Sequence, residues 1–179
     1  MQTQKIKAGV WILRAMLLAA LLLVGAYIFS NSQETAVVSS EKSGSISQTL
    51  CRIFIKDYGL LEEARQREIL SSVNSTLRVF AHSIEFCALG FFAAALALTF
   101  RRQASARKIK TPALLFFSFV FSALYALSDE IHQIFIDGRA FEVSDLLTDS
   151  GGAVIGILAA WLLSFLLTKA ANRRKTADQ

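Results

Sequence analysis

The apolar positions of this chain fall in long, nearly uncharged runs, without the short alternating stretches of half-buried strands. A bilayer core of ~30 Å needs about 20 helical residues. Four runs meet that length. They predict spans over residues 10–29, 79–100, 112–136 and 150–168. The third is uncharged only as far as Ser128, but Ile131, Ile134, Phe135 and Ile136 extend it past Asp129 and Glu130. Pro112 suits a first helical position, with Thr111 as the cap before it. The fourth span has room to begin as early as Ser144. The first is longer than a usual signal-peptide core and reads as an anchor.

Residues 30–78 form a long segment between the first two spans. Ile46, Leu50, Ile53 and Phe54 share a helical stripe, as do Ile69, Val73 and Leu77. These predict short amphipathic helices at the membrane surface, capping the bundle. A turn is expected at Asp137-Gly138. The predicted fold is therefore all-α: one membrane domain over residues 1–179, a bundle of four transmembrane helices with amphipathic helices in the first outer loop.

Charge orients the bundle. Twelve of the nineteen lysines and arginines lie in the N-terminal segment, the loop between the second and third spans, and the C-terminal tail. Those segments carry one acid, Asp178. The other seven cations share the remaining segments with thirteen acids. Cytoplasmic segments are rich in lysine and arginine, so both termini are expected inside. The pI near 9.5 then reflects topology and contact with anionic lipid, and no nucleic-acid partner is expected. Hydrophobic residues make up 54% of the chain and charged residues 18%, which excludes an ordinary soluble enzyme. Cys51 and Cys87 fall at different depths, so no disulfide is expected between them.

Ionisable residues inside membrane spans are costly and mark candidate sites. Here they converge on the outer ends of the last three spans. His82 and Glu85 are three apart and share a helix face. Asp129, His132 and Gln133 share another, with Glu130 turned by about 100°. Asp145 and Asp149 are four apart near a helix N-terminus, where carboxylates are favoured. Asp129 and Glu130 approach a helix C-terminus, where they are disfavoured, so they require a partner. The candidates are His82, His132, Arg139 or a bound cation. Arg139 either neutralises the acids by an internal salt bridge or holds a carboxylate or phosphate with its guanidinium fork. His82, Glu85, Asp129 and His132 are also candidate ligands of a divalent metal such as zinc or manganese. Their spacing matches no metal signature, and a hydrogen-bonded network joining three helices is the simpler arrangement. Gly152, Gly156 and Ala160 recur every four residues, a stripe that permits close helix approach.

The segment Arg78-Val79-Phe80-Ala81-His82-Ser83-Ile84-Glu85-Phe86-Cys87-Ala88-Leu89-Gly90 resembles a pattern of the VanZ-like family. Val79, Ser83 and Phe86 stand where that pattern has lysine, an aromatic and tyrosine. Tyr125 to Gln133 with Gly138-Arg139 is similar to the family's third-span signature. Asp145, Asp149 and the small stripe from Gly152 match its last block, and Ser30 to Gln33 resembles the end of its first span. The resemblance implies a multi-pass protein of the bacterial plasma membrane, in a family named for a member associated with low-level teicoplanin resistance. It implies no activity. Three functions fit. One is a non-catalytic envelope protein binding a lipid, a lipid-linked cell-wall intermediate or a lipoglycopeptide. Another is an intramembrane metal-assisted hydrolase or transferase, with Glu85 or Glu130 as base. The third is a transporter or flippase.

Overall fold

The computed structural model describes residues 8–177. Lys5, Lys7 and Asp178, which enter the charge argument, lie outside the described residues. Six α-helices follow in order: α1 (Ala8–Ser32), α2 (Ala36–Phe54), α3 (Glu63–Leu98), α4 (Arg101–Ala106), α5 (Thr111–Gln133) and α6 (Val143–Ala177). A 3-10 turn at Tyr58–Leu60 separates α2 from α3. No strand occurs among the described residues. The helices α1, α3, α5 and α6 are each long and apolar enough to cross a membrane. All four present large apolar side chains outward, among them Leu23, Ile84, Phe117 and Leu167. A soluble bundle would bury these residues, whereas lipid accepts them. With every backbone hydrogen bond made inside its own segment, a helix is also the structure that hydrocarbon tolerates.

The helix ends differ from the sequence expectation. The second span does not begin near residue 79, because α3 runs unbroken for 36 residues from Glu63. At ~1.5 Å per residue that is about 54 Å, well beyond the ~30 Å hydrocarbon core. No proline interrupts the stretch, and Ile69, Val73 and Leu77 continue the same helix instead of forming one of their own. At its other end the fifth helix stops at Gln133 instead of reaching residue 136. The chain turns there, with the Ile136 amide on the Gln133 carbonyl and the Arg139 amide on the Ile136 carbonyl. Gly138 completes this turn at φ +74, a left-handed value that glycine adopts without strain. Beyond the turn, α6 spans 35 residues, starting at Val143.

In α2 the polar side faces the protein. Ser47 is fully buried and donates to Asn74 Oδ1 at 2.9 Å, and Asn74 in turn donates to Ser40 Oγ at 2.7 Å. Buried Cys51 and Tyr58 close the same seam, and the Tyr58 hydroxyl donates to the Gln66 carbonyl. The apolar residues Ile46, Ile53 and Phe54 point outward. The helix therefore docks along the first turns of α3 through hydrogen bonds and keeps its apolar stripe for the surroundings.

The centre of the bundle is the pair α3 and α6. A Cβ on Gly152 would collide with the Ser83 carbonyl oxygen, and one on Gly156 with that of Cys87. Gly90 on α3 faces the Ala153 backbone in the same way. The small stripe therefore works within one chain, bringing two backbones into direct contact. Around it pack Phe86, Leu89, Ile28 and Ala126, which join α3, α1 and α5. Cys51 and Cys87 are both free.

At one end of the bundle, Arg14 of α1 is buried. Its Nε donates to Thr99 Oγ1 at 3.1 Å and its Nη2 to the Thr99 carbonyl at 3.0 Å. The guanidinium lies 3.7 Å from the centre of the Phe100 ring. Arg101 similarly reaches from the start of α4 to Thr168 Oγ1 on α6 at 2.9 Å. Charged groups thus clamp one end of the bundle, while the core helices set their spacing.

Candidate functional site

The helices converge at their other end on a set of carboxylates. Asp129, Glu130 and Asp149 are 4%, 1% and 2% exposed, which separates them from surface acids. Their positions follow from helix packing. Asp129 and Glu130 occupy the last turn of α5, and Asp149 sits one turn before the glycine stripe that holds α6 against α3. Glu85 lies on α3 one turn before buried Leu89. The charges of Asp145, Asp129, Glu130 and Glu85 act on Asp149.

Neutral groups supply the hydrogen bonds. Ser32 Oγ and Gln133 Nε2 both donate to Asp129 Oδ2, at 2.8 and 3.0 Å. Asn31 Nδ2 donates to Glu85 Oε1 at 2.7 Å. The backbone amide of Glu142 donates to Glu130 Oε2 at 2.9 Å. Two carboxylate oxygens, Glu85 Oε2 and Asp149 Oδ1, are buried without any hydrogen bond, as is His82 Nδ1. His82 Nδ1 stands 3.6 Å from Glu85 Oε2, the single contact of ion-pair length that these acids make.

Arg139 forms no ion pair with the acids among the described residues. Its Nε donates to the Glu34 carbonyl at 3.0 Å and its Nη1 to Gln133 Oε1 at 3.4 Å, with no carboxylate within ion-pair distance. Burial, and after it the charge of Arg78, lowers its pKa, while Asp129, Glu34 and Glu130 oppose the shift. Lys42 pairs with Glu34 at the surface, away from the cluster's interior. The internal salt bridge that the sequence allowed for Arg139 is thus absent among the described residues.

Among the described residues no three His, Cys, Asp or Glu side chains meet in an arrangement that could hold an ion. His132, one of the four ligand candidates with His82, Glu85 and Asp129, stacks on Phe29 at 4.9 Å between ring centres. Its Nε2 has no hydrogen-bond partner. The i, i+3 spacing from Asp129 puts it on the same side of α5, but packing against α1 takes its ring.

Two members of the site were not among the candidates that charge and spacing singled out. Asn31 and Ser32 end α1 and reach Glu85 and Asp129. Their one signal in the sequence is the resemblance of Ser30 to Gln33 to the end of the VanZ-like first span, which gives neither residue a partner. Tyr125 adds a second tie between the same helices, its hydroxyl donating to the Gly25 carbonyl at 2.8 Å.

No curated protein and no solved structure matches the chain. The VanZ/LLP1 family model matches residues 16–164, a stretch that begins within α1 and ends within α6 and so contains every carboxylate of the cluster. The four apolar helices and this match together establish that the chain is a multi-pass membrane protein belonging to the VanZ/LLP1 family.

Proposed function

We propose that this protein is a non-catalytic component of the bacterial cell envelope that binds the polar end of a lipid-linked molecule at the outer leaflet. The observation that carries this reading is Asp149, 2% exposed with Oδ1 lacking any partner. A carboxylate held this way costs several kcal/mol unless something completes its shell, and the nearby carboxylates add to the cost. A packing network would be expected to satisfy its own members. A binding site instead leaves acceptors open for its ligand. Lysine and arginine placement supports cytoplasmic termini and a cluster at the outer boundary, from which a ligand would enter through the outer leaflet. The bound molecule would be a membrane lipid, a lipid-linked cell-wall intermediate or a lipoglycopeptide. The last would connect the site to teicoplanin-type resistance.

The test is ligand retention by the purified full-length protein, read by native mass spectrometry after mixing with outer-leaflet lipids, lipid-linked wall precursors and teicoplanin. Retention of one of these classes by wild type, reduced in Asp149→Asn, is the expected result. Equal retention by both proteins would remove the cluster from the binding reaction.

A further inference from the structure

Arg14 is a buried cation with no acid beside it. The residue is 5% exposed, and no carboxylate lies within ion-pair distance of it among the described residues. Residues 8–33, 86–128 and 150–177, from which this end of the bundle is built, contain no aspartate or glutamate. The partners that Arg14 has are neutral. Nε and Nη2 donate to the hydroxyl and the carbonyl of Thr99. Gln103, with its amide oxygen turned to the guanidinium, accepts from Nη2 at 3.0 Å. The rings of Phe100 and Trp11 are centred 3.7 and 5.2 Å from the guanidinium carbon. Aromatic faces offset part of a buried charge, but they take no hydrogen bond from Nη1, which donates to no group among the described residues. A guanidinium has five N–H bonds, and the two on Nη1 are left open.

The guanidinium borders a cleft. Trp11, Arg14, Phe100, Gln103, Arg107 and Ile109 line an open hollow of about 400 Å³ between the start of α1 and α4. The turn after α4 places the second arginine. The amides of Arg107 and Ile109 both donate to the Ala104 carbonyl at 2.9 Å, with Lys108 between them at φ 62. Two guanidiniums from distant segments thus edge one hollow, an arrangement suited to a phosphate, which arginine holds through paired hydrogen bonds. Trp11 indicates the depth. Its indole is exposed, and an outward tryptophan near the end of a span sits at the headgroup level of a bilayer. Arg14 follows it by three residues, just beneath the level of the lipid phosphates. Net charge then selects among lipids. An amine on the headgroup would meet cations here, among them Arg101, Arg102, Lys108 and Lys110, and no acid to receive it.

We infer that the cleft between α1 and α4 seats the phosphodiester of an anionic glycerophospholipid, held by Arg14 and Arg107. The bound lipid supplies the counter-charge that these helices lack. The seat lies at the opposite end of the bundle from the carboxylate cluster and does not rest on the function proposed for that cluster.

The experiment offers equal amounts of short-chain phosphatidylglycerol and phosphatidylethanolamine to the full-length protein in mild detergent, with adducts counted by native mass spectrometry. Wild type is expected to retain the glycerol lipid over the ethanolamine lipid by about tenfold, the effect of one charge-assisted contact. Arg107→Gln should remove most of that preference. Arg102→Gln takes the same charge from the exposed side of α4, outside the cleft, and should leave the preference intact. Arg14→Gln should abolish it, and if that variant fails to fold, the comparison of Arg107→Gln with Arg102→Gln decides alone. Equal losses in those two variants overturn the seat and leave a diffuse attraction between the basic loop and anionic lipid. Equal retention of both lipids by wild type, or a preference that survives Arg107→Gln, also overturns it. Excess inorganic phosphate at matched ionic strength separates the sources. Lipid retained against it supports the lipid seat, and lipid displaced by it makes the cleft a site for a free anion and overturns the lipid assignment.

Discussion

The hydroxyl of Ser32 donates to the Asp129 carboxylate at 2.8 Å, tying the last residue of α1 to the final turn of α5 across 97 positions of sequence. Both side chains are buried. The first span is thereby part of the site: its far end supplies donors to two carboxylates on two other helices.

Ser32→Ala should leave Asp129 with Gln133 as its remaining donor. Losing one bond to a buried charged group is expected to cost about 1.5–3 kcal/mol. Thermal unfolding in detergent should show a lowered Tm, and an unchanged value would mean that the contact contributes nothing net.

Asp129→Asn and Glu130→Gln are expected to behave oppositely. An amide oxygen can accept from Ser32 and Gln133, or from the Glu142 amide, as the carboxylate does. The substitution removes a buried carboxylate whose hydrogen-bond donors are all neutral. Both variants should stay folded with Tm no lower than wild type. A large drop in both, with no ligand present, would show that the carboxylates are structural struts.

Gly156→Ala and Gly152→Ala should be severely destabilising, because the added methyl meets backbone oxygen on α3 that cannot swing aside. Overpacking of this kind costs about 1–3 kcal/mol or more. Gly151→Ala is the internal control, since a Cβ there meets nothing within 4 Å. If all three variants melt alike, the close α3–α6 approach is not what holds the bundle.

The orientation can be checked by single-cysteine labelling in a background with Cys51 and Cys87 replaced by serine. An impermeant thiol reagent added outside should react at Ser45→Cys, on the exposed side of α2, and not at Ser105→Cys, on exposed α4. The reverse pattern would invert the topology.

Much of the architecture is legible in the chain because hydrocarbon imposes a simple rule. A run of about 20 apolar residues must become a helix, and four such runs are uninterrupted. Helix ends outside the bilayer obey no such rule. The continuation of α3 back to Glu63 depends on α2 packing against it through Ser47 and Asn74, a contact between residues 27 positions apart. The carboxylates of the site stand out because acids are rare at the ends of apolar runs. The role of Arg139 was open to two readings because one-dimensional spacing cannot say which oxygen a long side chain meets. Arg14 looked like a stray charge near the start of a span. Its burial against Thr99 and Phe100 depends on the close return of α3, which no local pattern encodes.

The unbroken length of α3 has a mechanical consequence. Its first turns carry the hydrogen-bonded α2, and a later stretch of the same rod carries His82 and Glu85, with no glycine or proline hinge between them. A force that tilts or twists the α2–α3 hairpin is not absorbed along the way. It arrives as a displacement of the imidazole and carboxylate, opposed by the locked glycine contact with α6. The α2–α3 hairpin is thus a handle on the carboxylate cluster.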